Sequence, residues 1–240
     1  MSETPLLSVS GLNAFYGAAH ILFDLALDVR AGEVVALMGR NGAGKSTTLK
    51  SIMGLIERKT GAISFAGKDI SPARPHEIAR LGLGYVPEDR RIFTDLTVSE
   101  NLEVGRQAGR VDGGGAAWTP ERLFQLFPNL AEARHRLGGR LSGGEQQMLT
   151  VARTLMGNPR LILLDEPSEG VAPIIVDAMA DMMVALKATG VAIVLSEQNL
   201  PFAELVSDRA YVIEKGEMRF CGTMRDLSAN EELRRAYLEV

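Results

Sequence analysis

The 240-residue sequence predicts an α/β fold: a parallel sheet flanked by antiparallel ribbons and interrupted by a helical lobe. Three observations carry that prediction. Residues 34–38, 161–164 and 191–195 are short unbroken apolar runs, the pattern of strands buried on both faces. The last two runs are separated by a helical stretch over 173–189 that ends at Gly190. That spacing makes a βαβ unit, which requires parallel strands. Leu25, Leu27 and Val29, by contrast, alternate with Ala26, Asp28 and Arg30 before an Ala31-Gly32 turn, as in a half-buried ribbon.

Taken in order, the first 35 residues read as short antiparallel ribbons. The 34–38 strand feeds a glycine-rich loop, residues 45–56 are helical, and 61–68 suggests another short hairpin. From about residue 97 the pattern turns helical. Thr97-Val98-Ser99-Glu100 is a capping box with Thr97 as N-cap. Residues 109–117, with Gly113-Gly114-Gly115, read as a flexible loop, and Thr119-Pro120-Glu121 restarts a helix with proline at its first position. The stretch 97–157 thus reads as an inserted helical lobe. Tyr211-Val212-Ile213 and residues 218–221 bracket Lys215-Gly216 as a terminal hairpin, and two short helical pieces follow.

Composition narrows the function classes. Hydrophobic residues make up 46% and charged residues 23%, ordinary for a globular chain. Lys plus Arg total 26 against 30 for Asp plus Glu, a net charge of −4, so no electrostatic footprint for nucleic acid is present. Arg134, Arg136 and Arg140 read as a solvated face. Cys221 is the single cysteine, which excludes an internal disulfide and fits a reducing compartment. The start, Met-Ser-Glu-Thr-Pro, has no basic or apolar leader pattern. No apolar run approaches the ~18–20 residues that span a bilayer.

Gly39-Arg-Asn-Gly-Ala-Gly-Lys-Ser46 fits G-x-x-x-x-G-K-[ST] between a strand and a helix. A chance match in a chain this long is on the order of one per cent at average residue frequencies. The chemistry asks for these residues. Glycines let backbone N–H groups converge on phosphate oxygens, and the helix N-terminus adds partial positive charge. Lys45 then reaches the β- and γ-phosphates, and the Ser46 hydroxyl can ligate Mg²⁺. A second carboxylate is supplied at the end of the 161–164 run: Asp165 to hold Mg²⁺ through water, Glu166 to polarise the attacking water. Asp-Glu-Pro alone is a common strand end, and only the loop at 39–46 makes the pairing specific.

Leu141-Ser-Gly-Gly-Glu145-Gln-Gln opens a second glycine-rich helix, which runs to Met156. Ser142 and Glu145 form a capping box. Gly143 and Gly144 remain to be explained, since glycine in a helix costs up to ~1 kcal/mol relative to alanine. A close backbone approach, with an anion as the usual occupant, accounts for them.

These motifs together resemble the nucleotide-binding subunits of ATP-binding-cassette (ABC) transporters, whose signature is Leu-Ser-Gly-Gly-Glu/Gln. The resemblance runs from about residue 6 to the C-terminus. It implies a P-loop NTPase (RecA-like) core with an N-terminal antiparallel β subdomain and an inserted helical subdomain. The whole chain, 1–240, is then one ABC ATP-binding domain: core and β subdomain in 1–88 and 158–240, helical subdomain in about 89–157. ATP and Mg²⁺ are the implied ligands. Phosphates would lie against Gly39, Arg40, Asn41, Gly42, Ala43, Gly44, Lys45, Ser46 and Thr47, and adenine would stack on Tyr16. By itself Tyr16 reads as a plain strand aromatic. Two cassettes would pair head to tail, so that Ser142, Gly143, Gly144 and Glu145 of one meet the γ-phosphate held by the other.

Three positions depart from the commonest family pattern. Glu88 stands where most members carry a Gln that contacts Mg²⁺. Ser168-Glu169-Gly170-Val171 lacks the usual Asp, and Gln198 replaces the His that senses the γ-phosphate. Glu88 would be repelled by phosphate, so it is expected on the metal side or held off by Arg90 or Arg91. Gln198 donates a hydrogen bond without titrating near pH 6.5. Val-Pro-Glu88, Gly-Val-Ala-Pro-Ile-Ile and Glu-Gln198-Asn resemble the second ATPase of branched-chain amino-acid importers, the LivF type. That resemblance implies an importer ATPase, peripheral on the cytoplasmic face of the inner membrane. Its partners would be transmembrane permease subunits, a second ABC ATPase (a paralogue or an identical copy) and, indirectly, an external solute-binding protein. Related ATPases serve urea or amide import or lipopolysaccharide export. A soluble ABC ATPase acting on nucleic acid or ribosomes usually has tandem cassettes or basic insertions, which are absent here. A metabolic P-loop kinase does not need the 141–145 signature.

Overall fold

A computed structural model describes residues 4–107 and 117–238. The glycine run 113–115 lies outside the described residues. In chain order the strands and helices are β1 (Leu7–Tyr16), β2 (Ala19–Val29), β3 (Val34–Met38), α1 (Lys45–Ile52), β4 (Arg58–Phe65), β5 (Lys68–Asp69), α2 (Pro75–Leu81) and β6 (Leu83–Val86). Then come α3 (Val98–Gly105), α4 (Pro120–Leu126), α5 (Pro128–Glu132), α6 (Gly143–Leu155), β7 (Leu161–Asp165), α7 (Pro173–Ala188) and β8 (Ala192–Glu197). The chain closes with α8 (Leu200–Val206), β9 (Arg209–Glu214), β10 (Glu217–Thr223), α9 (Met224–Ala229) and α10 (Glu231–Tyr237).

The expected α/β architecture is present as two sheets. The larger has the order β10-β9-β3-β8-β7-β6, parallel from β9 to β6, with β10 antiparallel at one edge. The smaller is antiparallel, in the order β2-β1-β4-β5. Its first two strands span 10 and 11 residues, longer than the short ribbons expected. Each central strand serves two cores at once. Leu161 and Leu163 of β7, with Ala192 and Val194 of β8, face α1 and the smaller sheet. Ile162, Leu164, Ile193 and Leu195 face the helices α3 to α8. Both faces are therefore apolar, and the period of two disappears from the sequence.

Local signals set the helix starts. Thr97 and Glu100 form the expected capping box, Thr119 caps α4, and Asn199 accepts the Phe202 N–H to start α8. The short α2 begins at Arg74-Pro75 with Glu77 closing its cap, a signal outside the apolar pattern. The sheets are joined by Arg209, whose guanidinium pairs with Asp28 at 3.1 Å and Glu33 at 3.2 Å, holding the Asp28 carboxyl below its ordinary range. Strand β8 differs from expectation. It continues past Leu195 through Ser196 and Glu197, which pair with Leu37 and Met38 of β3. Both polar side chains are fully buried, so the sheet keeps them only because each has partners.

Candidate functional site

The loop between β3 and α1 sits at the carboxyl ends of the parallel strands, where open α/β sheets bind ligands. Gly44 enters α1 at φ 115°, and a Cβ there would meet Leu22 at 2.8 Å, so only glycine closes this turn. Lys45, 3% exposed, folds back over the loop. Its ammonium donates to Gly39 O at 2.7 Å and Arg40 O at 3.1 Å and pairs with Glu166 Oε1 at 3.1 Å. All three of its donors are engaged. Asn41 and Gly42 lie exposed at the loop tip, while Ala43 and Thr47 are buried beneath it.

Asp165 faces this loop although its strand is not a neighbour of the loop's strand. Strand β8 lies between β3 and β7. The Asp165 side chain bridges the gap. It is 1% exposed and accepts from Ser46 Oγ at 2.8 Å, Ser196 Oγ at 2.7 Å and Tyr85 Oη at 3.0 Å. Burial and the Asp165 charge hold the Tyr85 phenol well above its ordinary value, so it is a donor throughout the working pH range. A buried carboxylate beside a serine hydroxyl is an all-oxygen donor set that suits a hard divalent cation such as Mg²⁺.

Glu166 sits in the left-handed region at φ 46°, a strained backbone of the kind that clusters at functional sites. Its Oε2 is buried and has no hydrogen-bond partner among the described residues. Glu169 can donate to Glu166 only while it holds a proton. The hydrogen bond with Glu166, then burial and the charges of Glu166 and Glu88, push the Glu169 carboxyl up to about 7. Glu88 itself is exposed and forms no ion pair among the described residues. The expected shield from Arg90 or Arg91 does not form. Arg91 pairs with Asp89 at 2.8 Å, and the Arg90 guanidinium packs against Gly143.

Beyond Glu166, the end of β8 organises the site. The Glu166 N–H donates to both Ser196 O and Ser196 Oγ at 3.1 Å. Glu197 Oε1 accepts from Ser168 N at 3.0 Å, and its Oε2 accepts from Gln198 N and Asn199 N at 3.2 Å. Burial pushes this carboxyl up, opposed by those hydrogen bonds. Gln198 follows, half-buried, beside the phosphate loop's sheet. Tyr85 and Ser196 belong to no local motif, and Glu197 is marked only as the first residue of the Glu-Gln198-Asn segment. The one signal for them is polar residues attached to apolar strand runs.

The helix start at 142–145 stands apart: no described hydrogen bond joins it to Lys45, Ser46 or Asp165. Ser142 accepts from Glu145 N at 3.3 Å while Glu145 accepts from Ser142 N at 2.7 Å, a complete capping box. Part of its glycine requirement is internal. A Cβ on Gly144 would lie 2.8 Å from Ile175 of α7, and one on Gly143 would lie 2.8 Å from the Arg90 guanidinium. The contact with Ile175 thus gives Gly144 a second reason for being glycine, beside the anion that the sequence argument invoked. Tyr16 ends β1 with its ring 49% exposed, away from these contacts.

Comparison with known proteins fits this geometry. The ABC transporter family model matches residues 22–169. The chain is 40% identical to the Pseudomonas aeruginosa high-affinity branched-chain amino acid transport ATP-binding protein BraG, covering 97% of this chain and 99% of that protein. It is 38% identical to a probable branched-chain amino acid transport ATP-binding protein, LivF, of Archaeoglobus fulgidus, over 92% and 93% of the two chains. Identity to the Haemophilus influenzae lipopolysaccharide export system ATP-binding protein LptB is 35% over 97% of each. Among solved structures, a nucleotide-free ATP-binding cassette from an ABC transporter superposes with TM-score 0.81 at 26% identity, covering 96% and 97% of the chains. The ATP-binding subunit of another ABC transporter gives TM-score 0.80 at 33% identity over 98% and 96%. With a strand-borne phosphate loop, a facing Asp-Glu pair and a capped glycine signature on one P-loop scaffold, this chain belongs to the ABC transporter family as an ATP-binding cassette.

Proposed function

We propose that the chain is the ATP-hydrolysing subunit of an ABC importer for branched-chain, hydrophobic amino acids, working through separate membrane subunits. The observation that carries the chemistry is Lys45 and Ser46 converging on Asp165 and the unpartnered Oε2 of Glu166. Lys45 exchanges its loop carbonyls for the β- and γ-phosphates of ATP, and the first turn of α1 adds its N–H groups. Ser46 and Asp165 are the residues that would hold Mg²⁺, with Glu88 as a further candidate on the same side. Bound there, the ion neutralises developing phosphate charge. Glu166 Oε2 accepts a hydrogen bond from the attacking water and orients it. Gln198 donates to the γ-phosphate without a protonation step, and Tyr16 stacks on adenine. Ser142, Gly143, Gly144 and Glu145 of a paired cassette close the site from the other side.

The membrane partner has a candidate seat. A groove of about 480 Å³ runs between β6 and the helices, lined among others by Leu55, Tyr85, Phe93, Val104 and Arg153. Leu55, Phe93 and Val104 are exposed apolar side chains there. Among the described residues no helix is long and apolar enough to cross a membrane, so a cassette at the cytoplasmic face needs such a seat.

The amino-acid solute is inferred from BraG and LivF. The likeness to LptB supports lipopolysaccharide export as a second reading. Co-purification with the membrane subunits followed by uptake of labelled leucine, isoleucine and valine separates the two; loss of outer-membrane lipopolysaccharide without an uptake defect supports export. For the chemistry, Glu166→Gln is expected to bind ATP and hydrolyse it at least about a hundredfold more slowly. Near-normal turnover in that variant removes Glu166 from the base role.

A further inference from the structure

We infer that Glu197 is a positioning residue that locks the segment behind Glu166 to the start of α8, so that Ser168 and Gln198 move as one unit during ATP turnover; this rests on the ATPase reading above. Glu197 is 1% exposed and forms no ion pair among the described residues. Three backbone N–H groups carry its charge, and they come from two different segments. Gln198 and Asn199 donate to Oε2 from its own turn, while Ser168 donates to Oε1 across a sequence separation of 29. A buried carboxylate without a cation is costly, and a turn of this kind needs no such group. Asn or Asp shapes it with a shorter side chain. The length of glutamate is required only for the bond to Ser168.

The preceding residue repeats the arrangement one step nearer the phosphate loop. Ser196 holds Asp165 through its hydroxyl and the Glu166 N–H through both of its oxygens. The last two residues of β8 therefore grip the whole 165–168 segment, Ser196 at the front and Glu197 at the back. Glu166 and Gln198, which act on opposite ends of the hydrolysis step, are tied through one strand end. A displacement of Gln198 when the γ-phosphate leaves is passed to Ser168 and on to Glu169 and Gly170 without slack.

Glu197→Asp separates this role from simple shaping of the turn. Aspartate keeps the hydrogen bonds to its own turn but falls about one methylene short of Ser168 N. The assay is steady-state ATP hydrolysis at saturating Mg²⁺ for wild type, Glu166→Gln and Glu197→Asp, with a thermal melt of each. The expected result is a cooperative melt, a KM for ATP within about twofold of wild type, and kcat lowered about tenfold or more, equal to at least about 1.4 kcal/mol in the barrier. Wild-type kcat in Glu197→Asp, or a raised KM at unchanged kcat, overturns the inference. If the Asp variant does not melt cooperatively, Glu197→Gln decides. Its single oxygen can serve Ser168 or the Gln198–Asn199 pair but not both, so kcat must fall; an unchanged kcat again overturns it. Absence of turnover in the wild type defeats the ATPase reading instead, and Glu166→Gln distinguishes the two failures.

Discussion

Ser196→Ala removes one hydroxyl and leaves the backbone of β8 in place. The lost bonds are the 2.7 Å donation from Ser196 Oγ to the Asp165 carboxylate and the 3.1 Å acceptance of the Glu166 N–H by the same oxygen. A hydrogen bond to a charged group contributes about 1.5–3 kcal/mol. The lower half of that range applies here, because Asp165 keeps Ser46 and Tyr85, and the Glu166 N–H keeps the Ser196 carbonyl at 3.1 Å. At about 2–4 °C per kcal/mol for a chain of this size, Tm should fall by about 3–9 °C in calorimetry at neutral pH. Because Ser196 orients a candidate metal ligand, the Mg²⁺ concentration giving half-maximal ATP hydrolysis should rise about 10- to 100-fold. In an Asp165→Asn background the same substitution meets a neutral acceptor, and its cost should drop to about 1 kcal/mol. A Tm within about 1 °C of wild type with an unchanged Mg²⁺ requirement would refute the view that β8 orders the Asp165 carboxylate.

Two further outcomes test neighbouring features. Gly144→Ala should lower Tm, since its Cβ would sit 2.8 Å from Ile175 in a packed helix contact and overpacking costs about 1–3 kcal/mol. Gly143→Ala should leave Tm unchanged or raised, because the flexible Arg90 end can move aside; equal losses in both variants would discard the packing account. The Glu169 carboxyl, pushed up to about 7, binds its proton more tightly folded than unfolded. Its contribution to stability is therefore present below about pH 4.5, the unfolded value, and is lost as pH rises through about 7. Glu169→Gln should flatten the decline in Tm between pH 5.5 and pH 8, and parallel curves for the two proteins would remove Glu169 as its source. The effect should be small, as this side chain is exposed and screened.

What the sequence by itself determined was everything encoded over a few adjacent residues. The loop at 39–46 and the caps at Thr97, Ser142 and Asn199 were legible because each is closed by bonds within about three to six positions, and the Asp165-Glu166 pair because it directly follows an apolar strand run. The βαβ spacing around 173–189 likewise settled that the core strands are parallel. Only the tertiary structure decided which strand lies beside which. Strands β3, β7 and β8 are apolar on both faces, so nothing in their pattern told that β8 would separate the other two, and their order follows from how the helices and the smaller sheet cover them. That order brings Tyr85 and Ser196 onto Asp165, joins Glu197 to Ser168, and keeps β8 extended two residues beyond its apolar run. It also gave Gly144 a packing reason of its own, the close approach of Ile175. Hydrogen bonds between strands depend on register across the sheet, and register is set by burial of both faces together, which no single stretch of sequence records.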